Sequence, residues 1–179
     1  MKKKKIITLV VVLAVAAVLA GGFFAWRGTV RATVQGPQLE ELEALLKERS
    51  GCVTDLQVTV ARPTANFDIY VEDAGEEELL DLLKTVADYI NEEQLYETVL
   101  MPAFRLPHIW AEGVRVTFRQ GWGPFARTLQ EYDCLHDATS QTYEEIAALG
   151  FRQWQLRADA FQPERQLPEL VYEVGAGQA

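Results

Sequence analysis

Twenty-one consecutive residues, Ile6 to Trp26, carry no charge at all, and they follow four lysines, Lys2 to Lys5. Coiled as a helix at about 1.5 Å per residue, such a run spans about 31 Å, close to the roughly 30 Å hydrocarbon core of a bilayer. Its β-branched residues do not oppose a helix, because in lipid a single segment satisfies its backbone only by coiling. Residues 6–26 are therefore expected to be a transmembrane helix acting as a signal anchor in the lipid bilayer, preceded by a basic cytoplasmic head at residues 1–5. The lysine excess ahead of the run orients the chain, with its amino terminus cytoplasmic and everything after Arg27 extracytoplasmic. Phe23, Phe24 and Trp26 stand where interfacial aromatic anchors belong.

A cleaved signal peptide is the competing reading. Lys2–Lys5 would then be its basic region and Ile6–Ala20 its apolar region, with Val18-Leu19-Ala20 as the small-residue cleavage site. The product would be a secreted soluble binding domain. Both readings export the remaining residues, of which roughly 150 are enough for one core.

Export changes the charge that matters. The whole chain has a net charge of −9, but without Lys2–Lys5 and Arg27 it has 12 basic against 26 acidic residues. Such a domain excludes general nucleic-acid binding, which needs a basic face to meet phosphates. It also repels anionic lipid headgroups, so it should stand off the membrane rather than lie on it.

Periodicity predicts a mixed α+β fold. Residues 27–36 form a linker or first strand, followed by an extracytoplasmic α+β domain over residues 37–174 and a disordered tail at 175–179. Pro37 opens a helix with Leu39, Leu42, Leu45 and Leu46 on one face, and Gly51 closes it. Val53–Ala61 and Phe67–Glu72 alternate apolar and polar residues, which predicts two strands with one buried face each. Asp73-Ala74-Gly75-Glu76 has capping-box spacing and precedes a helix carrying Leu79, Leu82, Leu83, Val86 and Ile90. Another strand follows, with Val114, Val116 and Phe118 facing inward. Strand, helix, strand, strand, helix, strand is the ferredoxin-like βαββαβ order, a two-layer sandwich.

The carboxy-terminal third reads as an α/β extension. Thr142-Tyr143-Glu144-Glu145 is a second capping box, and Trp154, Leu156 and Ala158 alternate with Gln155 and Arg157. Leu170–Val174 is a candidate last strand. Phe125–Glu131 fits a strand or a short helix equally.

Chemistry-bearing residues are sparse, and nothing in the sequence calls for a cofactor. Cys52 and Cys134 both fall in the exported part, where a disulfide between them, two buried thiols or a reactive thiol are all open. Cys134, His136 and Asp137 cluster as weak candidates for metal binding or thiol catalysis, and an exported enzyme or metal-binding domain would centre there. The cluster lacks the second ligand pair of a structural zinc site, and catalytic triads are assembled from distant segments. The late aromatic residues suggest a binding surface, with Trp122 and Trp154 bordered by Arg119 and Arg127, since Trp and Arg dominate binding hot spots. The expectation is a membrane-anchored, non-catalytic protein-binding or scaffolding module whose partner is another envelope protein.

Overall fold

In a computed structural model of the chain, the described residues are Val12, Val15, Val18, 31–61, 64–103, 113–136 and 142–175. They form one seven-stranded sheet and four helices. The chain runs β1 (Arg31–Val34), α1 (Pro37–Arg49), β2 (Val53–Ala61), β3 (Thr64–Val71) and α2 (Glu76–Glu92). After α2 a π-helical turn, Tyr96–Leu100, leads into the short α3 (Met101–Ala103). Then come β4 (Gly113–Gln120), β5 (Arg127–Leu135), α4 (Tyr143–Leu149), β6 (Gln153–Asp159) and β7 (Glu169–Glu173).

The strands lie side by side in chain order, β1 to β7. Every neighbouring pair is antiparallel except β3 and β4, which run parallel across α2. This corrects the ferredoxin-like expectation. That arrangement needs the first strand in the middle of the sheet, between two longer ones. β1 has only four residues, whereas β2 and β3 have nine and eight. A central strand so short would strand half of each neighbour's hydrogen-bonding groups inside the sheet. β1 instead occupies an edge and pairs only with Val58–Ala61 of β2. β4 takes the place directly against β3, and the carboxy-terminal third extends the sheet beyond it.

Cross-strand register separates two faces. Val58, Phe67, Val116, Tyr132 and Leu156 form one row across five strands, and all are buried. One residue along, Gln57, Asp68, Thr117 and Glu131 form a polar row that points the other way. The two long helices cover the apolar face. Leu39, Leu42 and Leu46 of α1 share one core with Leu79, Leu82, Leu83, Val86 and Ile90 of α2. They lie antiparallel, tied by Arg49 to Asp81 at one end and by Tyr89 Oη to the Gln38 carbonyl at the other.

Several local expectations change. α2 starts at Gly75, without a side-chain cap, so Asp73 does not close the capping box; Asp73 instead turns the chain with φ 51°. Thr142 and Glu145 do form theirs. α1 ends on Ser50 in extended backbone rather than on Gly51. The ambiguous stretch after Phe125 is strand β5.

The sheet has two distinct ends. Arg31, Ala61, Thr64, Gly113 and Leu135 are in register at one, here the near end. Val53, Val71, Gln120 and Arg127 mark the far end. Eight residues of β3 at about 3.3 Å each put the ends about 25 Å apart.

Among the described residues no helix is long and apolar enough to cross a membrane. Most of the expected spanning run, residues 6–26, lies outside the described residues. Val12, Val15 and Val18 within it are helical and more than half exposed.

Candidate functional site

The hairpin joining β4 to β5 turns at the far end of the sheet. Its loop, Gly121-Trp122-Gly123-Pro124-Phe125-Ala126, is braced from within. Phe125 N–H donates to the Trp122 carbonyl at 3.2 Å, and Ala126 N–H donates to the Gly123 carbonyl at 3.2 Å, making a single 3₁₀ turn. Gly121 and Gly123 adopt φ 99° and 54°, a left-handed region that side chains disfavour, so the tight turn depends on glycine. Pro124 fixes its own φ as the turn begins.

This small rigid loop holds two large aromatic side chains in solvent. Trp122 is 81% exposed and Phe125 is 85% exposed, the highest values among the large apolar side chains of the described residues. Isolated exposed apolar residues are ordinary, but two aromatics held three residues apart on a braced loop present a contiguous apolar knob. Aromatic side chains have few rotatable bonds, so they supply contact area at low entropic cost.

Of the four expected surface residues, the structure places three near this tip. Trp122 is on it. Arg119 lies just below, with its Nε 2.5 Å from Asp68 Oδ1. Arg127 opens β5 and donates from Nη2 to Gln120 Oε1 at 3.3 Å. Trp154 is not part of any surface. It is fully buried, and its Nε1 donates to the Phe151 carbonyl at 3.0 Å, so it belongs to the core. Phe125, the second aromatic of the tip, was legible only as one of the late aromatic residues, and its exposure depends on the turn at Gly121–Pro124.

The Cys134 cluster does not assemble. Cys134 is buried on β5 opposite Val114, and burial pushes its thiol up to about 12. Burial thus keeps the thiol protonated and disfavours the thiolate that a nucleophile needs. His136 is half-buried, with Nε2 2.9 Å from the Gly150 carbonyl and its ring edge-on to Phe151, centroids 5.1 Å apart. Burial holds its pKa below the ordinary histidine value, opposed by the Gly150 carbonyl. Asp137 lies outside the described residues. Among the described residues no group of three or more His, Cys, Asp and Glu side chains converges to hold a metal ion.

Cys52 and Cys134 are both free thiols. Cys52 precedes Val53 at the far end, whereas Cys134 is beside Leu135 at the near end and three strands away. A disulfide needs Cα atoms within about 7 Å, so this fold cannot join them. Cys52 sits instead beside Ser50, whose hydroxyl bonds Glu78, and burial raises its thiol too.

The polar face of the sheet is closed off by ion pairs. Asp133, 3% exposed, accepts from Arg115 Nε and Nη2 at 2.7 and 3.1 Å and from Arg157 Nη1 at 3.1 Å. Two arginines on one carboxylate satisfy it and pull the strands together, leaving no free acid–base pair there. At the far end Arg165 bridges Glu76, Asp159 and Glu169, clasping the β6–β7 loop onto the start of α2.

No known protein family, curated protein or solved structure matches this chain.

Proposed function

We propose that this protein is a non-catalytic docking module, held in a membrane by residues 6–26, that binds another envelope protein through the aromatic tip of its β4–β5 hairpin. The anchor rests on the 21-residue uncharged run, the four lysines ahead of it and the exposed helical valines at 12, 15 and 18. The observation that carries the binding role is the pairing of Trp122 and Phe125 on a self-braced turn at the far end of the sheet. A chain entering β1 from a membrane arrives at the near end, so the tip faces about 25 Å away from that surface. At that distance an aromatic knob has no bilayer to enter. An apolar recess on a protein is the ligand that fits it.

The experiment places a photo-activatable phenylalanine analogue at position 122 or 125 of the full-length chain in its native membrane. A discrete protein adduct is expected from both positions and not from the exposed control position 149. The Trp122→Ser/Phe125→Ser double substitution should leave the urea midpoint unchanged, since neither side chain is packed, while abolishing co-purification of the adduct's protein. Adducts to lipid, or the same adducts from position 149, would refute the reading.

A further inference from the structure

We infer a second docking place, a notch at the β1 edge of the sheet that takes a short, basic, extended segment of another protein by strand addition. The inference rests on the docking-module reading but uses a different surface. β1 pairs with only four of the nine residues of β2, so among the described residues the edge of β2 from Val53 to Gln57 has no strand beside it. A strand's edge carries backbone donors and acceptors that an incoming strand can pair with. Here the edge is also shaped. Where β1 stops and the chain turns through Gln35 and Gly36 into α1, a cleft of about 520 Å³ opens along β2. Val34, Leu39, Leu56 and Val58 line its apolar side, toward the helices. Asp55, Gln57 and Thr59 line the other, so the cleft embraces both faces of any strand laid in it.

Charge selects the occupant. Glu40 and Glu43 of α1 and Asp55 of β2 all border the cleft, and among the described residues Lys47, on Glu43 at 2.6 Å, is the one cation paired with any of them. The surrounding stretch, 38–99, holds 16 acidic against four basic residues. A second copy of the same edge would bring these carboxylates opposite each other, and like charges across a strand pair are unfavourable. A strand with Lys or Arg at alternate positions meets Asp55 on the polar face while its intervening apolar residues meet Leu39 and Leu56 on the helical face, and Glu40 and Glu43 of α1 add negative potential along the cleft. The irregular register between Val53 and Asp55 limits the ladder to three to five residues, so the segment is short. The opposite edge, β7, is the poorer socket: Pro168 precedes it and Glu169 on it is already paired with Arg165.

The test uses the full-length chain in nanodiscs and a blocked ten-residue peptide of alternating lysine and valine. Hydrogen exchange should slow at residues 53–57 when the peptide is added. A peptide of identical charge, N-methylated at alternate residues so that it cannot pair, should bind at least tenfold more weakly, and so should the lysine–valine peptide to Glu40→Gln/Asp55→Asn. Equal binding of the methylated peptide would reduce the effect to charge alone and overturn the inference. So would protection at 169–173 in place of 53–57, self-association of the chain through β2, or no protection at all. Cross-links from the hairpin tip are read in parallel. Their presence without peptide protection sinks the notch alone, and protection without them sinks the tip alone.

Discussion

Asn91 near the end of α2 ties the carboxy-terminal third of the chain to the helical layer, and its removal should be costly. Its Oδ1 accepts from Phe151 N–H at 2.9 Å, and its Nδ2 donates to the Phe151 carbonyl at 2.8 Å and to the Ala87 carbonyl at 2.7 Å. Phe151 is 1% exposed and stacks against Tyr96 with centroids 4.9 Å apart. In Asn91→Ala the two carbonyls fare differently from the N–H. The Phe151 carbonyl still accepts from Trp154 Nε1, whereas the Phe151 N–H loses its acceptor inside the protein. An orphaned buried donor costs about 2 kcal/mol and the two weakened carbonyls about 1 more, so the loss should be about 3 kcal/mol. With a urea slope of about 2 kcal/mol per molar, the midpoint should fall by about 1.5 M without a change of slope. Gly150 supplies an internal check. Its φ of 65° disfavours any side chain, and a Cβ there would also meet Asn91 Oδ1 at 2.5 Å. Gly150→Ala should therefore cost less in the Asn91→Ala background than in the wild type, because the clash is gone and only the backbone strain remains. Strictly additive costs, or a loss below about 0.5 kcal/mol for Asn91→Ala, would refute the reasoning.

Two further outcomes follow from the titrating groups. Because the fold favours neutral His136, the unfolded chain binds the extra proton first as pH falls; stability should be flat above about pH 6.5 and decline below it. His136→Gln should remove that part of the slope in urea midpoints measured at pH 7.5 and 5, and an unchanged slope would exclude the histidine as its source. Cys52 and Cys134 should both resist maleimide at neutral pH, Cys52 yielding first and Cys134 only on unfolding. Under oxidant the intact mass should show no intramolecular disulfide, and its appearance would contradict the register of β2 and β5.

Elements with a strong single period were legible in the sequence. The leucines of α1, the alternation of β2, β3, β4 and β6, and the Thr142–Glu145 capping box each report local physics, and each element formed where its pattern lay. Strand order was not legible, because it depends on lengths compared across the sheet. β1 reads the same whether it is central or at an edge until its four residues are set against the nine of β2. The stretch Tyr96–Leu100, which carries no clear period in the sequence, is a π-helical turn, continuous with α3 and packed by Tyr96 and Leu100. Trp154 and Trp122 illustrate the same limit for the site. Trp154 lies between Gln153 and Gln155 and Trp122 between two glycines; one fills the core and the other meets water, a difference set by which face and which end of the sheet each occupies.

The parallel joint between β3 and β4 decides where the hairpin tip goes. Had β3 turned back on itself through a hairpin, β4 would run from the far end toward the near end, and the β4–β5 loop would open beside Arg31. α2 prevents this by carrying the chain back across the helical face, so that β4 starts beside Thr64 and ends, like β3, at the far end. The 17 residues of α2 rise about 25 Å, which matches the eight-residue strands the helix must retrace. One crossover in an otherwise antiparallel sheet thus moves Trp122 and Phe125 the whole strand length away from the start of β1. The tip's position is set by the parallel pairing of β3 and β4 inside the sheet, so it is coupled to the core rather than to the loop that carries it. An aromatic tip so placed keeps its distance from the near end as long as the domain is folded.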